Sequence, residues 1–256
     1  MTSGGHVTID VAANLGRVRE RVADAARRAG RKPEEITIVG VTKGLGAERA
    51  LEGIRAGLAD LGENYVQEAL EKSAQLESER VTWHFIGHLQ RNKVKQALTM
   101  FRWVHSVDSL RLAEEISRRA VGVAKTGAGS PPEVTVLLEV NTSGEESKFG
   151  IAPEEAPLLA ESVGALPGVR LVGLMTIGLL AADAEEARPC FRRLGELARQ
   201  IGSLGLEGVQ MTHLSMGMTG DFEVAVEEGA TIVRIGTAIF GPRPAQLSAV
   251  DAEGSV

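Results

Sequence analysis

Cysteine is almost absent from the chain, which has Cys190 and no other among its 256 residues. A single thiol excludes an internal disulfide framework and a zinc site built on several cysteines. Low cysteine content without disulfides is typical of proteins that work in the reducing cytoplasm, and we expect this compartment. Cys190 itself falls within a helical pattern and is predicted to be inert.

Long apolar runs and an excess of basic residues are also missing. No stretch reaches the roughly 18 uncharged apolar residues of a membrane span, and the opening MTSGGHVTID lacks the regions of a secretory signal. The formal net charge is −6, from 28 basic and 34 acidic residues. This balance argues against a nucleic-acid footprint. We therefore expect neither a membrane nor a nucleic-acid partner.

What remains is the composition of an ordinary globular protein, with 43% hydrophobic and 24% charged residues and a mean hydropathy of zero. The length lies at the upper end for one domain. We predict a single domain over residues 1–256. It comprises an N-terminal helix and lead-in (1–35), the main fold (36–241) and a flexible tail (242–256), with a further loop at Lys125–Pro132.

A short β-branched run followed by an amphipathic segment recurs eight times along the chain. The predicted strands are Ile36–Lys43, Ala59–Tyr65, Val81–His88, Trp103–Asp108, Val134–Asn141, Leu171–Ile177, Val209–Ser215 and Thr231–Phe240. The predicted helices are Ala47–Ala56, Val66–Glu77, Asn92–Met100, Leu110–Ala120, Pro153–Ala165, Ala184–Leu204 and Phe222–Glu228. This alternation predicts an α/β fold, a closed (β/α)8 TIM barrel, with an open doubly wound sheet as the alternative.

An extra amphipathic helix is predicted before the first strand, over Val11–Ala29. Its apolar positions are Val11, Leu15, Val18, Val22 and Ala25–Ala26, and Gly30 and Pro33 then end the pattern. We interpret it as a lid over the N-terminal end of the barrel or as an interface helix.

Polar residues collect where the predicted strands end, which is where TIM barrels carry their working groups. Lys43 ends the apolar run ITIVGVTK. Loss of hydration there lowers the pKa of a lysine and yields an amine that can attack a carbonyl carbon. The sharper hypothesis is therefore a Schiff-base lysine, and the simpler one is a lysine that extends from a strand end to solvent.

Closure of the barrel would bring Arg234 of the last strand near Lys43 of the first. Two adjacent cations inside a barrel require an anion or a polar ligand. Gly236 and Thr237 offer amides and a hydroxyl to a phosphate, and the segment Ser215–Met216–Gly217–Met218 offers a second set. The spacing alone leaves the identity of the phosphate compound open, and a sugar phosphate would also fit.

The other polar strand ends have two interpretations each. His84 is either a core histidine with satisfied hydrogen bonds or a ligand contact, and Asn64 is either a turn residue or a ligand donor. A metal site is not predicted, because the first strand ends in lysine where a metal hydrolase would need a ligand.

Eight ordered motifs between about residue 10 and residue 243 closely resemble the pyridoxal phosphate homeostasis protein family. They are VTKG (Val41–Gly44), GENYVQEA (Gly62–Ala69), WHFIGHLQRNK (Trp83–Lys93), VHSVDS (Val104–Ser109), EVNTSGEESKFGI (Glu139–Ile151), GLMTIG (Gly173–Gly178), HLSMGMTGDFEVAVEEG (His213–Gly229) and VRIGTAIFGPR (Val233–Arg243).

The resemblance implies a fold type III barrel that binds pyridoxal 5'-phosphate (PLP), similar to the N-terminal domain of bacterial alanine racemase. Lys43 matches the Schiff-base lysine of the family, and Arg234 matches the arginine that faces the pyridine nitrogen. Ser215, Gly236 and Thr237 match the phosphate cradle, to which Met216 and Gly217 contribute. Asn64 and His84 are expected to line the ring pocket.

One departure from the racemases separates two functional hypotheses. A racemase needs a second base, a tyrosine from a separate β domain. This sequence shows no such domain after Phe240, and Tyr65 is its only tyrosine. We expect a non-catalytic carrier that holds PLP on Lys43 and acts in its storage and transfer, with PLP-dependent acceptor enzymes as partners. The alternative is a small PLP-dependent racemase or lyase. A monomer or weak homodimer is expected.

Overall fold

Eight parallel strands form a closed barrel in sequential order in the computed structural model, which describes residues 9–124, 133–145, 147–179 and 182–243. The strands are β1 (Thr37–Val41), β2 (Asp60–Glu63), β3 (Thr82–Phe85), β4 (Trp103–Val107), β5 (Val134–Glu139), β6 (Val169–Met175), β7 (Val209–Ser215) and β8 (Ile232–Ile235). The predicted TIM barrel is confirmed. An open sheet is wrong, because β1 also pairs with β8 and brings Val39 beside Arg234.

The described helices surround the barrel. They are α1 (Val11–Arg28), α2 (Ala47–Arg55), α3 (Val66–Gln75), α4 (Val94–Ala97), α5 (Leu110–Ala124), α6 (Ala156–Gly164), α7 (Arg188–Ser203), α8 (Phe222–Glu227) and α9 (Thr237–Phe240). The main apolar core combines strand and helix residues. A smaller cluster around Leu137, Val172 and Met175 consists of strand residues alone. The apolar packing inside the barrel is therefore limited, and polar side chains occupy part of the interior.

The N-terminal helix α1 belongs to the outer ring of helices. Asp10 caps it by accepting a hydrogen bond from the Ala13 amide at 2.9 Å, and the apolar positions predicted from the sequence are buried. The helix packs against α8, α9 and α2, and Asn14 donates to the carbonyl of Ile239 at 2.9 Å. The prediction of a lid over the N-terminal end is wrong. Helix α1 thus covers the single-turn helix α9 and its neighbours α2 and α8, and its interpretation as an interface helix stays a prediction.

Two predicted elements differ from the structure. The predicted strand Thr231–Phe240 ends at Ile235, and its second half forms α9, because Gly236 leaves the extended conformation and Phe240 turns outward toward Gly40 and Gly53. The predicted helix Asn92–Met100 is a 3-10 turn at Arg91–Lys93 followed by the short α4. A continuous apolar run does not by itself distinguish a strand from a helix.

Parts of two predictions lie outside the described residues, namely the loop Lys125–Pro132 and residues 244–256 of the predicted tail. Pro242 and Arg243 are described and follow α9 after Gly241. Within the described ranges, no helix combines the length and the apolar character needed to cross a membrane.

A substitution at Gly173 tests whether the backbones of β6 and β7 lie in close contact there. A Cβ atom at this position would lie 1.8 Å from the carbonyl oxygen of His213, at a point where the register of both neighbouring strand pairs shifts. We expect Gly173→Ala to lower the free energy of unfolding in urea by about 3 kcal/mol. Gly16→Ala is the control, because nothing lies within 4 Å of its added methyl group in α1, and it should raise stability by about 0.5–1 kcal/mol. Equal stabilities would contradict this strand contact.

Candidate functional site

A cavity of about 360 Å³ opens at the C-terminal ends of the strands, within the size range of small-molecule sites. Its polar lining comes from the ends of β1, β2 and β8 and from the segments after β6, β7 and α9. These residues are Lys43, Asn64, Asp183, Thr219, Gly220, Asp221, Arg234, Gly236, Thr237 and Arg243. Val41, Ile86 and Ile177 are among the apolar residues of its wall. The cavity thus combines an apolar slot with converging cations and amides.

Lys43 lies just beyond β1 and is half-buried in this cavity. Within the described part of the chain its amine makes no hydrogen bond or ion pair. Burial lowers the pKa of Lys43, and the positive charges of Arg243 and Arg234 lower it further, whereas Glu63 raises it. A larger share of the amine is therefore neutral near physiological pH, which is the form that attacks a carbonyl carbon.

A second lysine, Lys72, holds the end of β1 in place. Its buried ammonium donates to the Thr42 carbonyl at 2.7 Å, contacts Glu63 and reaches Glu68 at 3.2 Å. Thr42 donates its hydroxyl to Glu63 at 2.6 Å, and the amide of Gly44 donates to Glu68 at 2.6 Å. The residues on both sides of Lys43 are thus anchored to α3 and β2. Lys72 is fully engaged, so Lys43 is the available amine of the pair.

Arg234 is 5% exposed and forms part of the wall of the cavity. One guanidinium nitrogen, Nη1, donates to Ser215 Oγ at 2.7 Å, and Nη2 donates to the Thr176 carbonyl at 2.9 Å. Burial lowers the pKa of Arg234 to about 10, and the carboxylates of Glu139 and Asp221 oppose this effect. The group therefore stays cationic at neutral pH. It can offer hydrogen bonds to a ligand but cannot accept one.

Asn64 Oδ1 and Glu139 Oε2 are among the buried side-chain oxygen atoms that have no hydrogen-bond partner in the described part of the chain. Asn64 Oδ1 belongs to a residue that lines the cavity, and Glu139 Oε2 lies behind it. Buried polar atoms are normally satisfied, so the Asn64 oxygen is available to accept a hydrogen bond from a molecule in the cavity. Burial and the charge of Asp108 raise the pKa of Glu139 to about 7, while Arg234 opposes the rise. Sequence reasoning missed Glu139 as a titrating group.

Backbone amides converge from the loops that follow β7 and β8. Among the described residues, the N–H groups of Thr219, Gly220, Gly236 and Thr237 donate to no protein acceptor. Asp221 shapes the first loop by accepting from the Met218 amide at 2.6 Å. Clustered free amides next to cationic side chains form a concavity suited to an anion such as phosphate.

The structure brings five of the predicted site residues into one cavity and places four behind it. Lys43, Asn64, Arg234, Gly236 and Thr237 line the cavity. Ser215, Met216, Gly217 and His84 are buried outside its lining. Ser215 accepts from Arg234, and His84 bonds to Asp60 and His105.

Strand pairing explains the displacement of the predicted Ser215–Gly217 segment. The Met216 amide donates to the Ile232 carbonyl at 3.1 Å, and the Gly217 carbonyl accepts from the Arg234 amide at 2.9 Å. The ladder between β7 and β8 therefore continues through Gly217, and the free loop begins at Met218. The polar cavity residues missed from the sequence are Asp183, Thr219, Gly220, Asp221 and Arg243, whereas Met218 belongs to the predicted set of amides and does line the cavity. The motif SMGMTGD contains most of them, but spacing does not show where pairing stops.

Comparison with known proteins agrees with this fold over nearly the whole described chain. A family model described as the N-terminal domain of alanine racemase matches residues 13–244. The pyridoxal phosphate homeostasis protein of Pseudomonas aeruginosa is 46% identical over 233 residues, which cover 91% of this chain and 96% of that protein. The corresponding protein of Aquifex aeolicus is 44% identical, with coverage of 90% and 96%.

Solved structures extend the comparison. PipY of Synechococcus elongatus, in a structure with PLP bound, superposes with a TM-score of 0.77 at 31% identity and covers 90% of this chain and all of its own. Alanine racemase of Clostridium difficile shares the fold alone, with a TM-score of 0.69 at 15% identity, and this chain covers 57% of it. The barrel, the family model and the close relatives all agree, and the chain belongs to the pyridoxal phosphate homeostasis protein family.

Proposed function

We propose that this protein binds PLP covalently through Lys43 and acts in intracellular PLP homeostasis as a store and donor of the cofactor. The observation that carries the proposal is the unpaired, half-buried amine of Lys43 in a cavity that it shares with Arg234 and a set of free backbone amides. The binding of PLP by PipY, a relative 31% identical in sequence, supports the choice of ligand.

The residues of the cavity fit each polar group of PLP. When bound, the cofactor supplies an aldehyde that condenses with a primary amine and releases water. Lys43 provides that amine, and the amides of Thr219, Gly220, Gly236 and Thr237 would hold the phosphate. Arg234 would donate to the pyridine nitrogen and keep it unprotonated, and Asn64 Oδ1 would accept from a polar ring substituent. Ser215 and His84, which were predicted as direct contacts, would lie behind the residues that touch PLP.

The same cavity argues for a carrier rather than a racemase or lyase. Tyr65, the only tyrosine, is 64% exposed and does not line the cavity. Glu139 has a pKa suited to acid–base chemistry but also lies outside the lining. An unprotonated pyridine nitrogen makes the ring a weaker electron sink. The relatives named for PLP homeostasis match over 96% of their length, whereas the racemase matches over 57%.

We further propose that residues 1–256 form one domain around this barrel and that the protein works in the cytoplasm. PLP-dependent enzymes without cofactor are the proposed recipients, because the cavity opens to solvent beside Lys43 at the barrel mouth.

Borohydride reduction tests the covalent attachment. Reduction of the PLP-loaded protein should add one phosphopyridoxyl group to the peptide that carries Lys43, and Lys43→Ala should abolish this adduct. Lys32→Ala, which removes an exposed lysine before β1, is the control and should label like the native protein. An adduct of undiminished yield in Lys43→Ala would overturn the proposal.

The pH dependence of condensation tests the electrostatics of Lys43. Because Arg243 lowers the pKa of Lys43, Arg243→Gln should raise that pKa and move the midpoint of the rate–pH profile to higher pH. Stopped-flow absorbance after mixing apo-protein with PLP measures the rate. Arg193→Gln removes an equal charge from α7, where the side chain pairs with Glu154, and should leave the midpoint unchanged. A midpoint that moves down in Arg243→Gln contradicts the assigned repulsion.

Exchange of the α-hydrogen separates carrier from catalyst. In deuterated water, the loaded protein should exchange the α-hydrogen of alanine and other amino acids no faster than free PLP does, because Tyr65 lies outside the cavity and the carboxylates that line it, Asp183 and Asp221, are engaged with backbone amides. Proton NMR follows the exchange. Exchange well above that background, lost in Lys43→Ala, would establish the racemase or lyase alternative instead.

A further inference from the structure

Five polar side chains form a continuous hydrogen-bonded chain across the barrel interior. Arg234 Nη1 lies 2.7 Å from Ser215 Oγ, and Ser215 Oγ lies 2.8 Å from His105 Nδ1. His105 Nε2 lies 2.9 Å from His84 Nδ1, and His84 Nε2 lies 2.9 Å from Asp60 Oδ1. This series of hydrogen bonds therefore links Arg234, in the wall of the cavity, to Asp60, the first residue of β2.

Asp60 is the most exposed of these five residues. Its side chain is 24% exposed and lines a recess at the N-terminal end of the barrel, beside Arg19 and Thr37. The other four residues are at most 5% exposed. Because buried donors and acceptors are normally paired, each proton in the chain must lie between two of these atoms.

The chemistry of the two ends, combined with a single proton on each imidazole ring, determines the direction of every hydrogen bond. Arginine only donates, so Ser215 Oγ accepts from Arg234. A carboxylate only accepts, so His84 must carry its proton on Nε2, toward Asp60. A neutral His84 then has an unprotonated Nδ1, which accepts from His105 Nε2. His105 Nδ1 is therefore an acceptor in turn, and the Ser215 hydroxyl donates to it.

The surroundings of His105 keep it neutral, as this assignment requires. The ring is completely buried, and burial holds its pKa well below the usual range, with smaller contributions from His84, Arg234 and His213. The opposite direction would place protons on both Nδ1 atoms. It would then require a second proton on His84, because a neutral ring would leave no hydrogen between His84 Nε2 and Asp60 Oδ1, which lie at hydrogen-bond distance.

We propose that Asp60, His84, His105 and Ser215 are positioning residues, which hold Arg234 through a chain of hydrogen bonds that all run from Arg234 to Asp60. Ser215 Oγ thereby accepts a hydrogen bond from Arg234 and donates its own proton to His105. It orients the guanidinium and does not donate to a phosphate. The identity of the ligand that Arg234 meets rests on the proposed function, whereas the direction of the chain does not.

Nitrogen-15 NMR of the histidine rings in the apo-protein tests the direction without any cofactor. Long-range proton–nitrogen correlations at neutral pH should show His84 and His105 as neutral rings with the proton on Nε2 and none on Nδ1. A proton on Nδ1 of either ring, or a doubly protonated His105, overturns the proposal. This measurement uses the native protein and does not depend on any variant folding.

Ser215→Ala tests the positioning role. The variant should weaken PLP binding about tenfold, the equivalent of one hydrogen bond to a charged group, while Lys43 still forms the reducible adduct. It should also change the ring signals of His105, which loses the donor to Nδ1. Ser117→Ala is the matched control. This buried hydroxyl donates to the carbonyl of Pro167, which comes just before β6 and so lies at the end of the barrel opposite the cavity. This control variant should change neither the affinity for PLP nor the ring signals of His105.

Two results distinguish the proposal from a general packing role and from failure of the proposed function. Unchanged PLP affinity and unchanged His105 signals in a folded Ser215→Ala protein would overturn the positioning role. If native protein binds no PLP, the proposed function fails, and the ring protons of the apo-protein still decide the direction of the chain.

Discussion

The burial of one guanidinium inside the barrel is the constraint around which the site is arranged. A buried cation is costly unless acceptors and opposite charges surround it. Arg234 meets this requirement with Ser215 Oγ, the Thr176 carbonyl and the nearby charges of Glu139 and Asp221. The same cation lowers the pKa of Lys43, so the group that organises the interior also prepares the amine at the mouth.

Much of the fold was predictable because a barrel strand and an amphipathic helix have different hydrophobic periods. All eight strands were predicted near their observed positions, and the buried face of α1 was predicted residue by residue. The partner of that face was not predictable, since periodicity shows which residues are buried but not what covers them. The misassigned end of β8 has a similar cause. Ile239 and Phe240 are apolar in a strand and in a helix alike, and only the turn at Gly236 decides between them.

The candidate site was predictable where function depends on a residue type at a strand end, as for Lys43, Asn64 and Arg234. It was less predictable on β7, where the ladder with β8 continues to Gly217 and moves the free amides to Thr219 and Gly220. Arg243 was assigned to a tail but lines the cavity, because α9 is too short to carry the chain away from the mouth. Each error concerns where one element stops, which depends on pairing between distant segments.

The position of α1 in the outer ring has a consequence for the order of folding. The helix at the start of the chain packs on the helices at its end, and β1 pairs with β8, so Asn14 meets a carbonyl 225 residues away. Contacts of such long sequence separation are slow to form. During synthesis, Lys43 leaves the ribosome long before Arg234, and the first helix must wait for the last strand. A nascent chain therefore cannot bring its amine and its guanidinium together until both β1 and β8 have been synthesised.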